Sequence, residues 1–184
     1  MNKANVMRPH LGVTLVMACV ITLCTTEISF CADFSKTIRD EATKMSNALL
    51  GNDHETYVAY IFPAVVEMMG GKDKMTQVLQ EGNLRMKMQG GSFESVEVGL
   101  PGPVSEVHGK LYALVPQIIK MRVSQGTLVT EGHLMAISED QGHRWYFTDT
   151  APLVDDQKLA MIFPELVGKI KIPPRKPPTL RPDR

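Results

Sequence analysis

Leu128-Val129-Thr130-Glu131-Gly132-His133-Leu134-Met135-Ala136-Ile137-Ser138-Glu139-Asp140-Gln141-Gly142-His143-Arg144-Trp145-Tyr146-Phe147-Thr148-Asp149-Thr150 reads as a complete β-hairpin. Both arms are apolar, the turn is acidic and ends in glycine, and the single tryptophan of the chain opens the return strand. Asp140-Gln141-Gly142 suits a type I turn whose glycine takes a positive φ and forms a bulge. Successive side chains of a strand point to opposite faces, so Trp145 and Phe147 are expected on one face of the sheet and Tyr146 on the other.

Working upstream, Lys110 to Val123 is a second long apolar strand, and Ser124-Gln125-Gly126-Thr127 turns it back into Leu128 to Ser138. Pro116 lies within it and implies a bulge or an unpaired edge position. Phe93 to Val98 and Val104 to His108 add two shorter strands around the turn at Leu100-Pro101-Gly102-Pro103. The second half of the chain is therefore predicted to be an antiparallel meander.

The first half carries helical spacing. Asp33 or Ser35 can cap a helix ending at Leu50, with Ile38, Ala42, Met45, Ala48 and Leu49 on its apolar stripe. Asp53 can cap a second, bearing Tyr57, Val58, Ile61, Val65 and Met68, which Pro63 is expected to break or kink. A third runs from Asp73 with Met75, Val78, Leu79 and Met86, stopping at Gly90-Gly91. After the sheet, a further helix is predicted over Asp155 to Phe163, ended by Pro164.

The chain's 184 residues, 43% hydrophobic and 22% charged, suit one domain with a sizeable core. Twenty basic residues balance twenty acidic ones, so no net field favours nucleic acid or an anionic membrane, and neither is expected as a partner. Lys3 and Arg8 precede an apolar run from Leu11 to Leu23 that is too short to span a bilayer comfortably, and small residues follow at Ser29, Cys31 and Ala32. This pattern predicts a secretory signal over residues 1–31 and export to the periplasm or the medium, with no stable membrane span after cleavage. Cys19, Cys24 and Cys31 all fall in the signal or at its edge, so the exported domain is expected to stand without disulfides. A lipoprotein fits less well: a very short apolar segment precedes Cys19, and bulky Phe30 precedes Cys31. Residues 32–168 form the predicted domain. Residues 169–184, rich in proline and basic side chains, are expected to be an extended or flexible, solvated tail; the alternative reading has Arg175, Lys176, Arg181 and Arg184 touching an acidic surface or a partner.

Three amphipathic helices followed by a bent antiparallel sheet resemble the cone-shaped nuclear transport factor 2-like superfamily. The segments that carry the likeness are Ala48-Leu49-Leu50-Gly51-Asn52-Asp53, the long hairpin, and Ser138 through Asp149 with Trp145-Tyr146-Phe147; together they cover most of Asp33 to Thr150. The resemblance implies an α+β, cystatin-like cone in which helices close one side of the curved sheet over an apolar pocket. Members include ketosteroid isomerases, polyketide cyclases, dehydratases and many noncatalytic binding domains, so it selects no reaction. An isomerase would need a carboxylate base facing a tyrosine or a protonated acid. No local motif fixes such a correspondence here, and no catalytic residue is carried over.

The pocket candidates are Tyr57, Tyr60, Tyr112 and Tyr146 as donors, Met86 as pliable lining, and the pair Glu131 and His133. That pair lies two apart in a strand and so shares a face, near Tyr112 or Tyr146 if the hairpins pair as expected. Burial would raise the carboxyl pKa and neutral imidazole can accept a proton, whereas on a wet sheet face the same pair would be inert. His54-Glu55 begins like a zinc-protease helix, but Val58 stands where the second histidine is needed, and no metal or other cofactor is expected. Ser138, Asp140 and His143 supply the residue types of a hydrolase triad without a nucleophile elbow. Gly70-Gly71-Lys72 lacks the spacing of a phosphate loop. The nine methionines outside the signal suit core filling or an apolar lining better than copper binding.

These readings converge on an exported, noncatalytic α+β domain that binds a small apolar ligand or a protein partner through the mouth of the cone. The alternatives are an enzyme of the isomerase, cyclase or dehydratase type using pocket acids and tyrosines, and an accessory domain that forms a homodimer through its sheet.

Overall fold

A computed structural model describes the backbone of residues 26–183 and the side chains of residues 34–183. Residues 1–25 of the predicted signal, with its apolar run and Cys19 and Cys24, lie outside the described residues. The chain is α+β: helices come first and a curled antiparallel sheet follows.

Helix α1 (Thr26–Leu50) buries Ile38, Ala42 and Met45, the i, i+4, i+7 stripe read from the sequence. It starts seven residues before Asp33, because neither proline nor glycine interrupts Thr26 to Asp33, so the expected cap at Asp33 or Ser35 is not its start. Asn52, at φ 58°, ends it, and the carboxylate of Asp53 accepts from the Thr56 N–H at 3.1 Å to cap α2 (His54–Tyr60). The second predicted helix is two. The backbone turns extended at Ile61, and Pro63 starts α3 (Pro63–Met68), where its missing N–H and fixed φ are tolerated. Gly70 and Gly71, both with positive φ, lead into α4 (Lys72–Met88), which rests on the domain only through half-buried side chains such as Met75 and Leu79.

The sheet runs β1 (Ser92–Val98), β3 (Lys110–Val123), β4 (Gly126–Ser138), β5 (Tyr146–Asp149), with β2 (Ser105–Val107) on β3 and β6 (Thr179–Arg181) on β4. His108 and Gly109, both at positive φ, form the two-residue turn from β2 to β3, so His108 belongs to the turn and not to the predicted strand. The β3–β4 register is unbroken from Leu111↔Ser138 to Val123↔Gly126, so Pro116 sits in a central strand without a bulge there. Its carbonyl accepts from Gly99 at 2.8 Å, so the N–H it lacks would point to the same side, just where the β1 ladder has ended at Val98.

Alternation splits the sheet between two cores. Ala113, Val115, Leu134, Ala136, Trp145 and Phe147 meet Ile38, Ala42, Met45, Val58, Ile61 and Val66 of the helical layer. Tyr112, Met135 and Ile137 face the other way, onto Phe62 and the C-terminal residues Leu153, Leu159, Phe163 and Leu166. Leu153, Leu159 and Leu166 belong respectively to a 3-10 turn (Ala151–Val154), to α5 (Asp156–Ile162), which Asp155 caps, and to the 3-10 turn Pro164–Leu166, with Phe163 at the junction of the last two. Both faces of the sheet are therefore covered where β3, β4 and β5 lie together.

Phe147 lies fully buried between the sheet and α2. Phe147→Ala is expected to lower the urea unfolding free energy by about 3–5 kcal/mol through lost transfer energy and a residual cavity. Leu84→Ala, on the exposed side of α4, should stay within about 0.5 kcal/mol of the unmodified chain.

Candidate functional site

The seven residues singled out from sequence lie in several places. Tyr57 and Tyr60 pack on the helical side of the sheet, whereas Tyr112 lies in the opposite core and Tyr146 packs against it. Met86 lies at the α4–β1 turn, its carbonyl accepting from Gly91 at 2.9 Å. Tyr112 and Tyr146 both pair with Ile137 and so share a face with Glu131 and His133. Glu131 is nevertheless six residues from Ile137 along β4, about 20 Å at the rise of a strand. It is exposed and takes an ion pair from Lys176 at 2.7 Å, which holds its carboxyl below the usual range. His133 stands opposite Pro116, and its buried Nδ1 has no hydrogen-bond partner among the described residues.

The buried tyrosine has a different partner. Tyr112 donates to Oε1 of Glu165 at 2.6 Å. Burial, then the neighbouring carboxylate, pushes the phenol well above its ordinary pKa. Burial by itself would raise Glu165, but the Tyr112 hydroxyl, its own backbone N–H and Lys110 outweigh that effect and hold it below the usual glutamate value. The pair is thus a neutral phenol donating to a carboxylate, with Lys110 at 4.0 Å from Glu165 and 2.6 Å from Glu139. Nothing before Pro164 in the sequence signals this contact, because it joins β3 to a segment more than fifty residues away.

The triad-like residues of the hairpin are spent on its turn. Ser138 is fully buried; its Oγ donates to Asp140 at 2.8 Å and accepts from the Gly142 N–H at 2.8 Å. Asp140 also accepts from the Arg144 N–H at 2.9 Å, which heads the causes that lower its pKa. Those bonds hold the β4–β5 loop and leave Ser138 no free path to a substrate. Gly142, at φ 92°, lies under the Phe34 ring, which in turn meets the indole of Trp145 edge-on at 5.8 Å.

That fixed loop forms one wall of a surface cleft of about 340 Å³ between α1 and α2, lined by Thr37, Glu41, Ala59, Tyr60, His143, Arg144 and Trp145. Its size falls in the range of small-molecule sites. Glu41 binds Lys44 at 2.7 Å and lies close enough to the Tyr60 hydroxyl to act on it. Burial, then Glu41, raises the Tyr60 pKa, so the phenol stays a donor, and the Glu41 carboxylate raises Lys44 in turn. Arg144 lies 4.9 Å over the Tyr146 ring, which orients its guanidinium beside the opening. The cleft thus holds an anion, two cations in or beside it, a phenol and an exposed imidazole. Tyr60 is among the pocket candidates, and the sequence sets His143 only beside Ser138 and Asp140; nothing in it singles out Glu41 or Arg144, since only the docking of the loop on α1 brings the four together. A second cleft of about 450 Å³ between α2 and α4, lined by residues such as Glu55, Lys72, Asp73 and Gln77, is mostly polar. No group of three or more histidine, cysteine or carboxylate side chains that could hold a metal occurs among the described residues. No known protein family matches the chain, and neither a curated protein nor a solved structure shows significant similarity to it.

Tyr112 and Glu165 give the protein a pH signature of definite sign. A phenol raised on folding contributes stability that is complete below about pH 10 and is lost as pH climbs through the folded value. A carboxyl lowered on folding contributes above its unfolded pKa, and that part is lost as pH falls through the folded value. Tyr112→Phe should cost about 1–3 kcal/mol at pH 7 by leaving Glu165 without its donor, and should flatten the alkaline loss measured by urea unfolding at successive pH values. Glu165→Gln should flatten the acid limb instead.

Proposed function

We propose that this chain is an exported, noncatalytic binding domain of the cone-shaped nuclear transport factor 2-like kind, which engages a protein partner through the cleft between α1, α2 and the β4–β5 loop. The observation that carries the reading is the concentration of Glu41, Tyr60, His143 and Arg144 at one opening above the buried Trp145. An anchoring polar side chain of a partner fits such a site: Arg144 and Lys44 can take its carboxylate, and the Glu41 carboxylate can take a donor. The helix-facing side of the sheet, where the resemblance implies an apolar pocket, is occupied by Phe147, Trp145, Val115 and Leu134 packed on the helices. That favours a polar surface contact over an apolar ligand within the cone. Export is supported by the basic and apolar pattern of the first residues. No helix among the described residues is long and apolar enough to cross a membrane.

Backbone amide spectra recorded during titration with capped dipeptides bearing acidic, basic or neutral side chains would test the reading. The expected result is a cluster of shifts on Thr37, Glu41, Tyr60, His143 and the Trp145 indole, strongest for acidic side chains. Arg144→Ala should weaken the interaction at least about tenfold, the loss of a charge-assisted pair of bonds, without changing the unfolding midpoint by more than a surface substitution does. Shifts confined to α4, an Arg144→Ala variant that binds as before, or chemical turnover of the added compound would each overturn it.

A further inference from the structure

The last residues of the chain lie along the outer edge of β4 in strict antiparallel order. Arg175 sits at Gly132, Lys176 binds Glu131, Thr179 pairs with Val129, Leu180 with Leu128 and Arg181 with Thr127; Asp183 then reaches Arg122 of β3 at 2.5 Å. Arg175 also binds Asp149 of β5. Two glycines of β4 make room for this passage. A Cβ on Gly126 would collide with the Arg181 carbonyl, and one on Gly132 would come within 3.2 Å of the Arg175 guanidinium.

The segment is held by charge and a short ladder, not by a core. Ile170 and Ile172 still pack on the second core, whereas residues 174–183 are exposed throughout, Thr179, Leu180 and Arg181 included. Pro178 and Pro182 bracket the ladder and offer no N–H of their own to a further strand on its outer side. The four prolines from Pro173 to Pro178 set the chain near an extended conformation, so little entropy is lost when it lies down as a strand. Exposed ion pairs of this kind are screened by salt. The edge itself is acidic at Glu131 and Asp149, which selects a basic strand and disfavours a second β4 edge of the same charge.

We propose that the outer edge of β4 from Gly126 to Glu131, with Asp149, is a binding site for an extended, basic, proline-flanked segment of a partner protein, and that residues 173–183 are its resident self-ligand. Strand addition supplies the backbone bonds, and the two carboxylates supply the selectivity. A tethered self-ligand acts at an effective concentration of about millimolar, so a free segment binds the unmodified chain weakly and gains when the tether's own contacts are weakened. This surface lies apart from the cleft of Glu41 and Arg144, and its test does not depend on that reading.

The probe is a fluorescent peptide with the sequence of residues 173–184, titrated into the full-length chain and followed by anisotropy. A full-length R175E/K176E variant should bind the peptide at least about tenfold more tightly than the unmodified chain, the gain expected from relieving self-competition. Adding E131K/D149K to that variant should abolish binding, and a peptide with its Arg and Lys residues replaced by Glu should not bind. Equal binding by R175E/K176E and the unmodified chain, or equal binding of the charge-reversed peptide, would sink the proposal. Should R175E/K176E fail to fold, hydrogen exchange on the unmodified chain decides the matter. In about 0.5 M NaCl, where charges are screened beyond a few ångströms, the amides of Thr127 and Val129, which face the outer edge, should exchange faster, while that of Leu128, which faces β3, and those of Tyr112 and Met135 keep their protection. An unchanged rate at Thr127 and Val129 would then refute it.

Discussion

One short extended stretch, Ile61-Phe62, ties the helical layer to the sheet and joins the two cores. Ile61 bridges Phe147 in parallel, and the Phe62 N–H donates to the Phe147 carbonyl at 3.0 Å. This pairing occupies the outer side of β5, an edge that would otherwise present unpaired backbone groups. Because neighbouring side chains of an extended stretch point oppositely, Ile61 enters the helix-side core while Phe62 enters the core beneath α5. The break between α2 and α3 is thus a structural element. Pro63 is its condition, since a continuous helix through residue 62 would have kept the Phe62 N–H for an internal bond and placed both apolar side chains on one layer.

The buried polar groups serve this two-core plan. Tyr112 occupies a core position, and its hydroxyl would be costly there without Glu165, which the C-terminal segment brings in two residues beyond the packed Phe163. Ser138 and Asp140 perform a similar service for the hairpin loop by satisfying the N–H groups of Gly142 and Arg144. Residue types that suggest acid-base or nucleophilic chemistry when read in a line here close turns and pair buried donors. The groups left facing solvent together, Glu41, Tyr60, His143 and Arg144, sit where the satisfied loop meets α1 and α2.

Elements whose signal is local were legible. The i, i+4, i+7 spacing of Ile38, Ala42 and Met45 marks the buried stripe of α1, Asp53 acts as the cap it resembles, and alternation separates Trp145 and Phe147 from Tyr146. Pro116 was read as a sign of an edge or bulge, yet it lies in the middle of the sheet. A missing N–H matters only on the side where a ladder runs, and β1 ends one residue earlier. The methionines show the same gap: Met45 and Met135 fill cores, whereas Met68, Met88 and Met161 face solvent. Composition counts a flexible apolar side chain without saying which side of its element is covered.

The sequence by itself determined the α+β order, the Asp53 cap, the hairpins and the alternation of side chains, because each depends on residues within a turn or a strand's length of one another. Only the tertiary structure decided that both faces of the sheet are covered, that Tyr112 meets Glu165 and not Glu131, that Glu41 and Arg144 share a cleft, and that the basic tail lies on the acidic edge of β4. Each of these joins residues tens of positions apart. Their meeting depends on strand register and on which surface remains uncovered after the cores have formed, and neither is encoded in local spacing.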